Sequence, residues 1–281
     1  MSYTTAIQRS LRGPSPAFGF WLTLPSAAVA KTIIHGASGS STKFSWVLVD
    51  AEHGLISDSN YYELNNAIGS EDASPVIRVP WAEEWMIKRA LDAGAHGIMT
   101  PMCHSENSSD TAILYRLMLL RSSAGASTLP SEPVATVPCS PPHSFPGCNP
   151  GPEYDEGSQQ FVTVCVQIES RPGVENVEKI AATPGIDVLF IGPFDLAKQT
   201  GVTRGGEEHE ASIQRILAAA HANGKKAAIF CTDGNDARKR AEQGFDMISV
   251  NTDVGVIRTG MLNELKTANG ETVQGGAREG Y

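Results

Sequence analysis

Residues 188–196 read Val-Leu-Phe-Ile-Gly-Pro-Phe-Asp-Leu. Four apolar residues bounded by turn formers predict a strand buried on both faces. Gly192 lets the backbone come close to a ligand. Pro193 suits the first position of a helix, where its missing N–H costs little. Asp195 then stands where a strand end meets the next helix, and in a (β/α) barrel that face carries the chemistry. A second carboxylate, Glu169, closes the apolar run before it, Val162-Thr-Val-Cys-Val-Gln167-Ile-Glu169. Two strand-end carboxylates, one strand apart, suit a hard divalent cation with oxygen ligands.

The same alternation extends in both directions. Towards the N-terminus, strands are expected at 18–23, 44–50, 75–79, 97–101 and 162–168, with helices at 25–35, 61–68, 83–93 and 174–182. Towards the C-terminus, strands at 187–191, 226–230 and 246–250 alternate with helices at 208–223, 236–243 and 254–266. Glycines 94, 224 and 244 stand just past helix ends, their usual stop position. Eight strands alternating with helices predict a parallel α/β fold, a (β/α)8 TIM barrel in preference to a doubly wound sheet. The Gly-x-Gly-x-x-Gly of a dinucleotide fold is absent after the first strand, and no fixed-period repeat is present. Residues 1–268 are expected to form this single domain, and 269–281 a disordered tail. One stretch departs from the pattern. Residues 121–158 are rich in Ser, Pro and Gly, which predicts an irregular, disordered or functional insertion after the fourth strand–helix unit.

Composition narrows the function. A hydrophobic fraction of 41% in 281 residues can build one full core. A net charge of −9 argues against non-specific nucleic-acid binding, which needs a basic footprint. Cysteines at 103, 139, 148, 165 and 231 include no Cys-x-x-Cys pair, so neither a zinc site nor a disulfide framework is expected. No apolar run is long enough for a membrane span, and residues 1–15 lack an apolar signal core. The expectation is a cytoplasmic protein without membrane partners.

Asp50, Glu52, His53, Gln167, Glu169 and Asp195 all fall at or just beyond strand ends, and Arg78 lies within a strand. In a barrel these converge on one mouth. Glu169 and Asp195 would bind a divalent ion, which would hold a 2-oxo acid and polarise its carbonyl. Arg78 would face the oxygen that turns negative as an enolate forms. His53 would act as general base, with Asp50 setting its tautomer. Each residue alone has a plainer reading. Asp50 could cap the next segment, Arg78 could pair with any nearby acid, Glu169 could cap a helix, and Asp195 could be a first-turn acid favoured by the helix dipole. His209, with the remaining histidines, shows no partner pattern and reads as structural or exposed.

The motifs Val49-Asp50-Ala51-Glu52-His53-Gly54, Pro75-Val-Ile-Arg78-Val, Gly97-Ile-Met-Thr-Pro101-Met102, Gln167-Ile-Glu169-Ser170 and Phe190-Ile-Gly-Pro-Phe-Asp195-Leu196 resemble the HpcH/HpaI family of metal-dependent pyruvate aldolases. The resemblance covers about residues 17–105 and 160–265. It implies a barrel, usually a hexamer that exchanges a C-terminal helix, which cleaves 4-hydroxy-2-oxo acids to pyruvate and an aldehyde with Mg²⁺, Mn²⁺ or Co²⁺. By resemblance, Glu169 and Asp195 are the metal ligands and His53 with Asp50 the acid/base pair. Arg78 steadies the enolate, and Gln167 reaches the oxo acid. Backbone amides at Gly192 and Phe194 meet its carboxylate, and Trp21 lines the wall. Two departures stand out. Phe194 occupies a position that is often Ala, and the family's Pro-Pro-x-Gly-x-Arg-Gly segment is replaced by Leu120-Arg-Ser-Ser-Ala-Gly-Ala-Ser-Thr-Leu-Pro. Two other readings stay open: a malyl- or citryl-CoA-type ester lyase, and a degenerate barrel that binds without catalysis.

Overall fold

The computed structural model describes residues 4–38, 43–106 and 161–271. The stretch 121–158, with its departure from the family pattern, lies outside them, as does most of the expected tail. Eight parallel strands close into a barrel in sequential order. They are β1 (Ala17–Leu22), β2 (Trp46–Asp50), β3 (Ser74–Arg78), β4 (Gly97–Thr100), β5 (Thr163–Ile168), β6 (Val188–Ile191), β7 (Lys226–Phe230) and β8 (Met247–Thr252). Each expected strand is present within a few residues.

The helices follow their strands: α2 (Ala27–Gly36), α3 (Asp58–Gly69), α4 (Glu84–Asp92), α5 (Arg171–Glu175), α6 (Val177–Ala182), α7 (Pro193–Thr200), α8 (Glu207–Ala222), α9 (Gly234–Glu242) and α10 (Asp253–Ala268). Side-chain oxygens of Ser26, Ser170, Asp233 and Thr252 cap the free amides of the helices they precede. Gly94 and Gly244 stop their helices at φ 91° and 97°, where a Cβ would strain the backbone. The single helix expected over 174–182 is two, broken at Asn176.

A helix that the sequence reading did not propose, α1 (Ala6–Leu11), closes the floor of the barrel. Ile7 is fully buried, and its amide donates to Ser74 Oγ at 3.0 Å. The interior above it is a column of inward side chains, with Trp46, Leu48, Val76, Cys165, Val188 and Phe190 among them. A larger apolar layer lies between strands and helices, including Val47, Val49, Ile77, Val166, Leu189 and Ile191. Successive residues of one strand therefore serve two cores, which is why the strands read as continuous apolar runs.

That period of two also delivers polar residues to the mouth. Trp46 and Leu48 point inward from β2, so Asp50 does too. Val76 places Arg78 inside, and Cys165 places Gln167 inside. Asp50 and Arg78 are register partners on adjacent strands.

The floor leaves no room for side-chain growth on β1. A Cβ at Gly19 would lie 2.2 Å from the Trp46 ring and 2.5 Å from the Trp46 carbonyl oxygen, so repacking the ring cannot remove the clash. Gly19→Ala is expected to lower the free energy of unfolding by about 1–3 kcal/mol, the usual cost of overpacking. Urea unfolding checks this, and an unchanged midpoint would contradict the packing described.

Candidate active site

The C-terminal ends of β1, β2, β3, β5 and β6 bring Trp21, Asp50, Glu52, Arg78, Gln167, Glu169 and Gly192 together. At the centre is a buried ion pair. Arg78 Nε donates to Asp50 Oδ1 at 3.0 Å, and Nη2 donates to Oδ2 at 2.8 Å. The indole N–H of Trp21 donates to the same Oδ2 at 2.9 Å. The amides of Glu52 and His53 donate to Oδ1 at 3.1 and 3.2 Å. Asp50 thus caps the following turn and pairs with Arg78 at once. Burial by itself would push its carboxyl up, but Arg78, Trp21 and the His53 amide outweigh that and hold it below the ordinary range.

Arg78 is held on every side. Its Cζ lies 4.9 Å from the centre of the Trp21 ring, within cation–π range. Its Nη1 lies 2.8 Å from Glu52 Oε2 and donates to Gln167 Oε1 at 3.4 Å. Trp21 itself packs edge-to-face with Phe230 and at a tilt against Phe190, so it forms the base of the mouth and supports the cation from below.

The expected pairing of Asp50 with the His53 ring is not formed. The oxygens of Asp50 are taken by five donors, and strand register gives Arg78 the fixed position from which to claim them. The His53 ring is exposed, and its Nε2 lies 3.7 Å from Glu52 Oε1. Glu52, not Asp50, bridges the guanidinium and the imidazole. Its carboxyl is pushed up by burial, partly offset by Arg78 and His53, with Asp50 and Asp195 adding to the rise.

Glu169 is 2% exposed. Its Oε1 accepts from the Met102 amide at 2.9 Å, and Met102 takes a left-handed φ of 53°. Its Oε2 is buried without a hydrogen-bond partner among the described residues. Burial pushes this carboxyl up to about 7; the Met102 amide and Arg78 oppose the rise, while Asp195 and Glu52 add to it. A Cβ at Gly192 would lie 2.5 Å from Glu169 Oε2 and 2.7 Å from Gln167 Nε2, so glycine keeps that space open. Asp195 stands half-buried in the first turn of α7, and Phe194 beside it is 59% exposed. Among the described residues no three or more His, Cys, Asp or Glu gather as a metal cluster. Two carboxylates are enough for a cation that keeps water and substrate oxygens as its other ligands.

With this geometry, the profile of the HpcH/HpaI aldolase/citrate lyase family matches residues 18–259. The chain belongs to that family. It is similar to the hydroxypyruvate/pyruvate aldolase of Paraburkholderia phytofirmans, 34% identical over 258 residues, covering 90% of this chain and 93% of that one. It is also similar to the 5-keto-4-deoxy-D-glucarate aldolase of Escherichia fergusonii, 34% identical over 245 residues, covering 86% and 88%. A solved HpcH/HpaI aldolase/citrate lyase family protein from Burkholderia cenocepacia superposes with a TM-score of 0.78 at 32% identity, covering 94% and 98%. The protein is an aldolase-type carbon–carbon lyase on a closed parallel barrel. No helix among the described residues is long and apolar enough to cross a membrane.

The raised Glu169 carboxyl has a stability consequence. Between its ordinary value of 4.5 and about 7 the folded protein holds a proton that the unfolded chain has released. Stability of the metal-free protein is therefore expected to fall as pH rises through that window and then to level off. Thermal melts from pH 4.5 to 8 should show the slope in wild type and its loss in Glu169→Gln; equal slopes would contradict the assignment.

Proposed function

We propose that the protein is a divalent-metal aldolase that cleaves a 4-hydroxy-2-oxo acid to pyruvate and an aldehyde. The observation that carries this reading is the buried Oε2 of Glu169, without a hydrogen-bond partner among the described residues and facing the space kept by Gly192 near Asp195. Burial makes it costly for this carboxyl to ionise, and a cation bound beside it would offset that cost. Glu169 and Asp195 would hold Mg²⁺, Mn²⁺ or Co²⁺. The ion would supply a Lewis acid for the carbonyl and carboxylate oxygens of the oxo acid.

The chain's own residues account for the remaining steps. Gln167, buried beside Gly192, orients the oxo acid. The amides of the first turn of α7, at Phe194 and Asp195, lie where a helix N-terminus binds a carboxylate. His53, the exposed base at the rim, takes the proton of the 4-hydroxyl group. The C3–C4 bond then breaks, the aldehyde leaves, and the electron pair passes into C2–C3 to give the pyruvate enolate. Arg78, fixed by Asp50, faces the oxygen that becomes negative. A proton delivered to C3 completes pyruvate. Asp50 serves in this scheme as the anchor of Arg78, and Glu52 as the acid nearest the His53 ring.

We also propose a homo-oligomer. Val254, Ile257, Met261 and Leu265 recur at helical spacing along α10 and are 42–68% exposed. An apolar stripe on a 16-residue helix suits a second copy of the chain.

Pyruvate release from 4-hydroxy-2-oxo acids is expected to stop with EDTA and return with Mg²⁺, Mn²⁺ or Co²⁺. Glu169→Ala and Asp195→Ala should abolish the metal-restored rate, and His53→Ala should lower kcat by about 10²–10⁴-fold with little change in metal affinity. Release that survives EDTA in folded protein would remove the metal reading. Sedimentation should show that Met261→Glu combined with Leu265→Glu dissociates the assembly; a monomeric wild type would remove the oligomer.

A further inference from the structure

His209 is a buried titratable side chain that the scheme above does not use. It lies in the first turn of α8 and is 1% exposed. Its Nδ1 accepts from the Gly205 amide at 3.1 Å, so Nδ1 carries no proton. The proton of the neutral ring is then on Nε2, which lies 2.8 Å from the Pro193 carbonyl oxygen and donates to it.

That carbonyl belongs to the same peptide plane as the Phe194 amide. The peptide is trans, so its C=O and N–H point in opposite directions from one rigid unit. Fixing the oxygen from behind fixes the direction of the N–H in front. A hydrogen bond accepted at the oxygen also polarises the N–H of that unit. The Phe194 amide is one of the first-turn donors of α7 that no helical carbonyl can reach, and the Gly192 cap supplies no side chain to it.

We infer that His209 is the positioning residue for the Phe194 amide, and that its neutral Nε2–H form aims and strengthens that donor toward the carboxylate of the oxo acid. This rests on the proposed reading of the mouth as an oxo-acid site. The ring nitrogens of His209 are taken by Gly205 and Pro193, so it acts through one peptide plane, in the way that outer partners tune a site from behind.

Two titrations on the whole 281-residue chain distinguish loss of the Phe194 donor from loss of the metal site. Mn²⁺ binding is followed by electron paramagnetic resonance, and pyruvate binding to the Mn²⁺-loaded protein by calorimetry. In His209→Leu, pyruvate affinity is expected to fall about tenfold, the loss of roughly one charge-assisted hydrogen bond, with Mn²⁺ affinity kept within about threefold, well short of the 10–100-fold typical of a lost outer partner. His209→Gln, which can both accept and donate, is expected to restore most of the pyruvate affinity. Unchanged pyruvate affinity in folded His209→Leu overturns the inference. Equal losses of Mn²⁺ and pyruvate also overturn it, since they indicate general loosening of the turn. A wild type that binds no Mn²⁺ instead defeats the metal-aldolase reading. If His209→Leu does not fold, ¹⁵N NMR of the wild type decides: a neutral Nε2–H tautomer and a pyruvate-shifted Phe194 amide support the inference, and a Nδ1–H or doubly protonated ring overturns it.

Discussion

The mouth of this barrel depends on the ion pair between Asp50 and Arg78. Both groups are nearly excluded from water, and removing one would leave the other as an uncompensated buried charge. The pair survives burial because its geometry is close to ideal. Two parallel hydrogen bonds join guanidinium and carboxylate, the Trp21 indole and two amides fill the remaining acceptor capacity, and the Trp21 ring lies against the cation. Strand register sets it, since Asp50 and Arg78 are partners across β2 and β3. Charge in the mouth is nonetheless unbalanced. Asp195 adds to the rise of both Glu52 and Glu169, Asp50 adds to that of Glu52 and Glu52 to that of Glu169, while the one guanidinium of Arg78 acts with Asp50, Glu52 and Glu169. Arg78 offsets one of them. Burial pushes the carboxyls of Glu52 and Glu169 up, and Asp195 stands half-buried beside them. A site with this surplus is arranged for a cation.

The fold was legible because its signals were strong. A parallel barrel buries both faces of its strands, so most of them are short, largely apolar runs, as at 46–49, 162–166 and 188–191. The convergence of the mouth was legible for the same reason, because inward alternation from Trp46, Val76 and Cys165 fixes Asp50, Arg78 and Gln167. Helix α1 was missed because it is only 6 residues long, with two large apolar side chains, Ile7 and Leu11, to mark it. The break at Asn176 was missed because the apolar spacing continues across it.

The misreadings at the site arise where several partners compete for one group. Sequence places Asp50, Glu52 and His53 within four positions but cannot say which acid meets the ring. The structure answers through saturation: five donors occupy Asp50, leaving Glu52 beside His53. Asp253 was likewise not singled out. Its carboxylate accepts from the amides of Thr23 and Leu24 and from Thr23 Oγ1, and it ties the start of α10 to the end of β1. Its partners are about 230 positions away in sequence, and a contact of that kind leaves no local pattern. His209, read as structural or exposed, is buried, and its partners, the Gly205 amide and the Pro193 carbonyl, are backbone groups that leave no pattern in a sequence.

Burial also grades the site along the axis of the barrel, and the grade fits the bond that the proposed reaction breaks. Gln167 and Glu169 are 2% exposed and Arg78 5%, while Phe194 is more than half exposed and the His53 ring is open to solvent. Charge stabilisation is strongest where water is excluded. The inner residues are therefore suited to the oxo-acid half, where negative charge develops on an oxygen. The outer rim suits the aldehyde half, which must leave, and a base that must exchange its proton with water. A carbon–carbon bond held across that gradient would be cleaved between a fixed half and a free one. That division requires no motion of the barrel. It follows from where the alternation of each strand ends and its loop begins.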